Sequence, residues 1–97
     1  MDKSQIIEKI SEHITEWGGL LRDWFVGISH NPERYLPLNH KVDLDKDKWI
    51  YIPANSYQEA REIVDYFINW LGTDGAPGED NGARKIYAYK KSDRTNP

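Results

Sequence analysis

The three histidines, the side chains best suited to transfer protons near neutral pH, have a spacing that matches no metal site on a single element. The histidines are scattered, with His13 on a predicted helix and His30 and His40 flanking another. Metal ligands that come from one helix or hairpin are separated by fewer residues than these histidines are. We therefore predict surface histidines. His30 and His40 would make an acid–base pair only if folding brought both beside Phe25.

Three aspartates, Asp43, Asp45 and Asp47, alternate in the manner of a calcium-binding loop. The sixth position of such a loop needs glycine and here is Lys48, while the twelfth needs a bidentate glutamate and here is Ala54. The pattern therefore predicts an acidic surface loop that binds no metal ion. We expect no cofactor anywhere in the chain.

Composition and charge indicate which class of binding partner and which cellular compartment to expect. Thirteen Lys and Arg residues against sixteen Asp and Glu residues give a net charge of −3, the wrong sign for general attraction to nucleic-acid phosphates. This acidic balance favours a protein partner over nucleic acid. The sequence has no cysteine, which fits a reducing compartment, and its N-terminal pattern lacks the apolar stretch of a signal peptide or membrane span. We expect a cytoplasmic protein with no membrane partner.

The last part of the sequence concentrates basic residues around a predicted strand. Five of them accompany a single acid, Asp93. They are Arg84, Lys85, Lys90, Lys91 and Arg94. Such a run forms a binding patch if it lies along one strand edge, but the simpler interpretation is an edge strand whose charges prevent aggregation.

Apolar periodicity and turn residues predict one α+β domain over residues 1–97, with elements in the order α-β-α-β-α-β. The elements are a helix over 2–17, a strand over 24–28, a short helix from Pro32 that Pro37 ends or kinks, a strand over 49–52, a helix over 57–71 and a strand over 85–90. The core would span 24–91, with a small sheet of about three strands packed against helices. The glycine-rich segment 72–82 is typical of a mobile loop or lid, residues 38–47 of a polar connection, and 92–97 of a frayed tail.

The four tryptophans are large enough to dominate a small core. Trp17 continues the apolar stripe of the first helix, and Trp24 and Trp49 lie in predicted strands. We therefore assign these three to core packing in preference to base stacking. Trp70 lies off the apolar stripe of its helix, which predicts partial exposure.

Three segments resemble motifs of the GIY-YIG nuclease superfamily, and together they span about half the chain, from 24 to 71. Residues 25–29 resemble the strand of the second motif, with Gly27 in its glycine position. Residues 31–36 resemble the arginine-bearing helix that follows. Residues 59–68 resemble the later helix that supplies a metal-binding glutamate. The resemblance implies a small α+β nuclease-like domain.

The chemistry of that family uses a tyrosine, an arginine and a glutamate around a divalent metal, and this chain departs from all three. Phe25 stands at the tyrosine position and has no hydroxyl to exchange a proton. Tyr35 stands at the arginine position, and Arg34 comes one residue early, which turns a helical side chain by about 100°. Val64 stands at the glutamate position and cannot ligate a cation. The resemblance therefore implies a non-catalytic relative.

The strand of the family's first motif has no counterpart before Phe25. Segment 86–89 is the candidate to take its place, which would be a permuted arrangement of the sheet. This hypothesis requires that Tyr87 lies beside Phe25. We predict a non-catalytic GIY-YIG-like binding module whose surface includes Phe25, Arg34, Tyr35, Tyr87 and Tyr89. Two alternatives remain. One is an active metal-dependent nuclease with a rewired site that uses Arg34, Tyr87, Tyr89 or Glu62, and the other is a pure protein-interaction domain.

Overall fold

Three helices and a mixed four-stranded sheet form the part of the chain that the structure, a computed structural model, describes: residues 1–76 and 82–97. The helices are α1 (Lys3–Trp17), α2 (Pro32–His40) and α3 (Tyr57–Tyr66), and a π-helical turn, Phe67–Leu71, continues α3. The strands are β1 (Trp24–Ser29), β2 (Trp49–Pro53), β3 (Asp74–Gly75) and β4 (Lys85–Lys90). These elements confirm the predicted α+β fold.

The strand order is β2-β4-β1-β3, with β4 antiparallel to both of its neighbours and β1 parallel to β3. The prediction of about three strands was one short, because β3 lies in the glycine-rich segment that resembles a loop. Gly75 pairs with Val26, and a Cβ at Gly75 would lie 2.9 Å from Cδ1 of Ile68. The short strand therefore depends on glycine for its close approach.

The expectation that the basic C-terminal segment forms an edge strand was wrong, because β4 lies inside the sheet. Its central residues are buried on both faces, with Ile86 and Ala88 on one side and Tyr87 and Tyr89 on the other. Because both faces of β4 are buried, its lysines are confined to the two ends of the strand.

Helices cover both faces of the sheet, because alternate residues of β1 point to opposite sides. Trp24 and Val26 pack against α1 and α3, whereas Phe25 faces α2. The α1–α3 side holds the larger core. Its fully buried members include Ile6, Ile10, Trp24, Val26, Ala60, Ile63, Val64, Phe67, Ile86 and Ala88.

Local signals set the helix ends much as predicted. The Asp2 carboxylate accepts from the Gln5 backbone amide, and the Gln5 side chain accepts from the Asp2 amide, which completes the capping box of α1. Gly18 then ends the helix with φ of 75°. At α3, the Ser56 hydroxyl accepts from the Glu59 backbone amide. The Glu59 side chain accepts from the backbone amide of Asn55, the residue before Ser56.

Pro37 was expected to end or kink α2 about one turn after its start, and it does not end the helix, which runs on to His40. Proline forfeits one backbone hydrogen bond inside a helix. Leu36 and His40, four residues apart on one helical face, are both buried against the sheet. Tertiary packing of this face therefore outweighs the lost bond, and the predicted polar connection begins only after His40.

The C-terminal tail, expected to be frayed, is held against α2 and the preceding loop. The Asn96 amide donates to the His40 carbonyl over 2.7 Å. The Arg94 guanidinium donates to the buried Asp47 carboxylate over 2.6 Å. The tail could not be recognised from sequence, because these partners are some fifty positions away.

The remaining expectations concern the exposure of two tryptophans and the glycine-rich segment 72–82. Trp70 is 81% exposed, as its position off the stripe predicts, whereas Trp17 is 42% exposed and its ring lies 4.0 Å from the Lys48 ammonium. The core assignment of Trp17 was therefore wrong. The predicted mobile loop or lid over 72–82 includes strand β3, and its residues 77–81 lie outside the described residues.

Within the described ranges, no helix combines the length and apolar character that crossing a membrane requires.

Candidate functional site

Four of the five predicted site residues meet beneath α2, where they form an aromatic layer together with His40. We define the aromatic layer as Phe25, Tyr35, His40, Tyr87 and Tyr89. The Phe25 ring lies 4.8 Å from the His40 ring and 5.3 Å from the Tyr89 ring. The Tyr35 and Tyr87 ring centroids are 6.0 Å apart. Only Tyr35 reaches the surface, since Phe25, Tyr87 and Tyr89 are each at most 5% exposed.

Strand register builds this layer. Phe25 pairs with Tyr89 and Gly27 with Tyr87 across β1 and β4, so all four positions face α2. A Cβ at Gly27 would lie 2.6 Å from Cζ of Tyr87 and would also overlap its hydroxyl oxygen. Glycine at position 27 therefore makes room for the Tyr87 ring.

His40 is the polar centre of the layer. Its Nδ1 lies 2.8 Å from the Asn96 carbonyl oxygen, which only accepts hydrogen bonds, so Nδ1 carries the proton and donates. Nε2 then offers its lone pair to the Tyr87 hydroxyl at 3.2 Å. The Tyr89 hydroxyl oxygen lies 3.1 Å from the same Nδ1, whose N–H it can share only as an acceptor. The side chain thus links α2, β4 and the C-terminal tail.

The expectation of three surface histidines was wrong for His40, because the aromatic layer buries it. His13 is half-buried against Trp24, at 5.8 Å between ring centroids, and burial lowers its pKa. His30 alone is exposed. No ring contact joins it to Phe25 or His40 in the described ranges, so the structure does not assemble the acid–base pair.

Burial raises the pKa of both Tyr87 and Tyr89, with a further contribution from neighbouring acidic groups. Both hydroxyls are therefore neutral over the whole physiological range. A hydroxyl that is buried, hydrogen-bonded and hard to ionise cannot take a proton from an external substrate. The layer is built for packing and positioning.

The free energy of unfolding at alkaline pH should depend on the Tyr87 and Tyr89 hydroxyls. Their folded pKa values lie above the ordinary 10.0, so above about pH 10 the unfolded state binds fewer protons and stability falls, by at most about 1.4 kcal/mol per pH unit for each tyrosine. Below that pH the contribution is fully retained. Urea unfolding between about pH 8 and about pH 11 measures the slope. Tyr87→Phe should flatten it and exposed Tyr66→Phe should not; equal slopes would contradict the assignment.

Arg34 lies outside the layer, and together with Tyr35 it lines a groove of about 240 Å³ along α2. We call it the α2 groove and define it as Ser29, His30, Asn31, Arg34, Tyr35, Leu38 and Asn39. Its lining contains no carboxylate, and Arg34 forms no ion pair with any acid in the described ranges. The groove therefore offers an uncommitted guanidinium beside exposed apolar surface, since Leu38 is 69% exposed.

Of the residues proposed for a rewired nuclease site, Glu62 lies apart from Tyr87 and Tyr89. Glu62 is an exposed residue of α3 and its carboxylate lies 3.7 Å from the Lys3 ammonium. Val64, at the glutamate position of the resemblance, is fully buried in the α1–α3 core. The sheet separates both from Tyr87 and Tyr89, which face α2.

The three aspartates of the calcium-like pattern brace the loop between α2 and β2. Asp43 accepts from the amides of Asp45 and Lys46, and the Asp47 carboxylate accepts from the Asp43 amide and from Arg94. Asp47 is buried, so the prediction of a purely surface loop was wrong for this residue. No group of three metal-ligating side chains occurs among the described residues.

Sequence reasoning missed His40 and most of the α2 groove. The available signal was the four-residue spacing of Leu36 and His40, which places both on one helical face. The expected helix end at Pro37 instead placed His40 in the polar connection over 38–47. With α2 ended early, Leu38 and Asn39 fell in a presumed connection instead of on the groove.

Comparisons of this chain with protein-family models, curated proteins and solved structures find no match. The geometry of the α2 groove and the aromatic layer is therefore the basis for inferring function.

Proposed function

We propose that this chain is a non-catalytic, GIY-YIG-like binding module that engages a partner protein through the α2 groove. The observation that carries the proposal is the separation of two kinds of group. The Tyr87 and Tyr89 hydroxyls are buried and hydrogen-bonded to the buried His40 imidazole, whereas Arg34, Tyr35 and Leu38 line an open groove. The groove residues are accessible to a ligand, and the groups bonded around His40 are not.

The family likeness is part of this proposal. In the permuted arrangement, β4 takes the place of the missing first strand and must lie beside β1. The pairing of β4 with β1, and the stacking of Phe25 and Tyr87 with centroids 6.4 Å apart, are compatible with it. Phe25, Tyr35 and Val64 at the three catalytic positions support a module without nuclease activity.

Incubation with single- and double-stranded DNA and RNA tests the absence of catalysis. With Mg²⁺ or Mn²⁺ present we expect no cleavage above the level of a buffer control. Metal-dependent cleavage that Arg34→Ala abolishes and Arg61→Ala preserves would overturn the proposal in favour of the rewired nuclease. Arg61 is a matched control, because it is an exposed arginine of α3 on the other face of the sheet.

Site-specific photo-crosslinking tests the role of the groove. A photoreactive residue replaces Leu38, which is exposed and so tolerates substitution. In cell extract we expect a discrete protein adduct that persists with Arg61→Ala and is lost with Arg34→Ala. An adduct that is indifferent to Arg34, or one formed with nucleic acid alone, would contradict a protein-binding groove.

A further inference from the structure

We propose that the α2 groove binds an acidic side chain together with an apolar side chain two positions away in an extended segment of a partner protein. This inference rests on the binding function proposed above and specifies its ligand.

Hydrogen-bond donors dominate the groove lining. Arg34 and His30 bring a guanidinium and an imidazole, and the Asn31 side chain brings an amide, whereas the Asn39 side-chain amide already donates to the Tyr35 carbonyl over 3.3 Å. Ser29 is 6% exposed, and its hydroxyl oxygen accepts from the backbone amide of Asn31 over 3.1 Å. Its proton has no acceptor among the described residues, so it is available to a ligand. A donor-rich pocket without carboxylates selects an oxyanion.

Apolar surface lies beside these donors. Tyr35 and Leu38 are 38% and 69% exposed, and their three-residue spacing makes them neighbours on α2. Leu38 is also four residues after Arg34, so the Cβ atoms from which the cationic and the apolar side chain extend are about 5–6 Å apart along the helix. A ligand that satisfies both must carry an anionic and an apolar group at a similar separation.

An extended peptide meets this requirement. Side chains two positions apart lie on the same side of an extended chain, about 6.6 Å from one another. An Asp or Glu placed two positions from Leu, Ile, Met or Phe would therefore set its carboxylate on Arg34 and its apolar side chain on Tyr35 and Leu38. The groove, at about 240 Å³, has room for side chains of this size.

Nucleic acid fits the same groove less well. A single-stranded binder needs several cations along the backbone and aromatic platforms for successive bases, whereas the groove has one arginine and its most exposed apolar residue is Leu38. The net charge of −3 repels a polyanion at a distance more strongly than a peptide with one carboxylate. A peptide carboxylate next to an apolar residue needs only the contacts that are present.

Selection from a random peptide library displayed on phage tests the proposal. We expect enriched peptides to share an acid two positions from an apolar residue, and enrichment to fail on Arg34→Gln but persist on Arg61→Gln. A chosen peptide should lose about tenfold in affinity when its acid becomes the corresponding amide, which equals about 1.4 kcal/mol. Backbone amide shifts should map binding to residues 29–39.

The outcomes separate the inference from the function on which it rests. Peptides without an acid, or preferential binding of a deoxythymidine hexanucleotide at the same residues, would overturn the ligand assignment and leave the groove as a binding site. Peptides enriched on wild type and Arg34→Gln alike would overturn the ligand assignment if their amide shifts map to residues 29–39, and the groove itself if the shifts map elsewhere. No enrichment on wild type would also overturn the groove. Circular dichroism of Arg34→Gln checks that the fold persists, as expected for an exposed residue.

Discussion

Phe67→Ala should lower the free energy of unfolding by about 3–5 kcal/mol, a large share of the 5–15 kcal/mol typical of small domains. Phe67 begins the π-helical turn that continues α3, is fully buried, and packs in the core that α1 and α3 form with the sheet. Truncating the ring removes buried apolar area and leaves a cavity. Ile63→Ala, at a fully buried position one turn earlier, should cost about 2–5 kcal/mol.

Urea unfolding followed by circular dichroism measures these losses, and the same helix offers a matched control. Trp70→Ala also removes a large aromatic side chain, but Trp70 is 81% exposed. We expect a change within about 0.5 kcal/mol for this variant. A loss under about 1 kcal/mol at both Phe67 and Ile63 would show that α3 does not face the core.

Gly27→Ala should cost about 1–3 kcal/mol, although it adds a single methyl group. The new Cβ would lie 2.6 Å from Cζ of Tyr87, so the ring has to move. Movement of the ring would also disturb the hydrogen bond from its hydroxyl to His40. Loss of that bond leaves a buried imidazole nitrogen without its partner, which adds to the packing cost.

A double-mutant cycle identifies Tyr87 as the cause. In a Tyr87→Leu background the phenol is absent, so adding the alanine methyl group should cost less than in wild type, with a coupling of about 0.5–3 kcal/mol. Urea unfolding of the four proteins gives the coupling directly. Additive losses would mean that Gly27 is required for another reason, and the assigned contact would be wrong.

The sequence predicted best where the determining interactions are local. The capping box of α1, the glycine that ends it, and the apolar stripe of α3 each depend on residues within a few positions of one another. Strand β1 was predicted from a β-branched and aromatic run that is buried along its full length. Such signals act before any tertiary contact forms, so a pattern of residue types is enough to read them.

Prediction of the candidate site was less complete. Phe25, Tyr35, Tyr87 and Tyr89 do come together beneath α2, but as a largely buried layer instead of a binding surface. A tyrosine looks the same in sequence whether its hydroxyl faces solvent or, like Tyr87, a buried histidine. Exposure depends on which element covers the strand, and α2 extends beyond the proline that was expected to end it.

The sequence by itself determined the fold class and the main helices and strands. Only the tertiary structure decided that β4 is central, that β3 exists, and that His40 joins α2 to the C-terminal tail. Each of these depends on contacts between residues far apart in the chain. Their free energy comes from burial and hydrogen bonds that exist only when several elements meet, and local patterns carry no record of them.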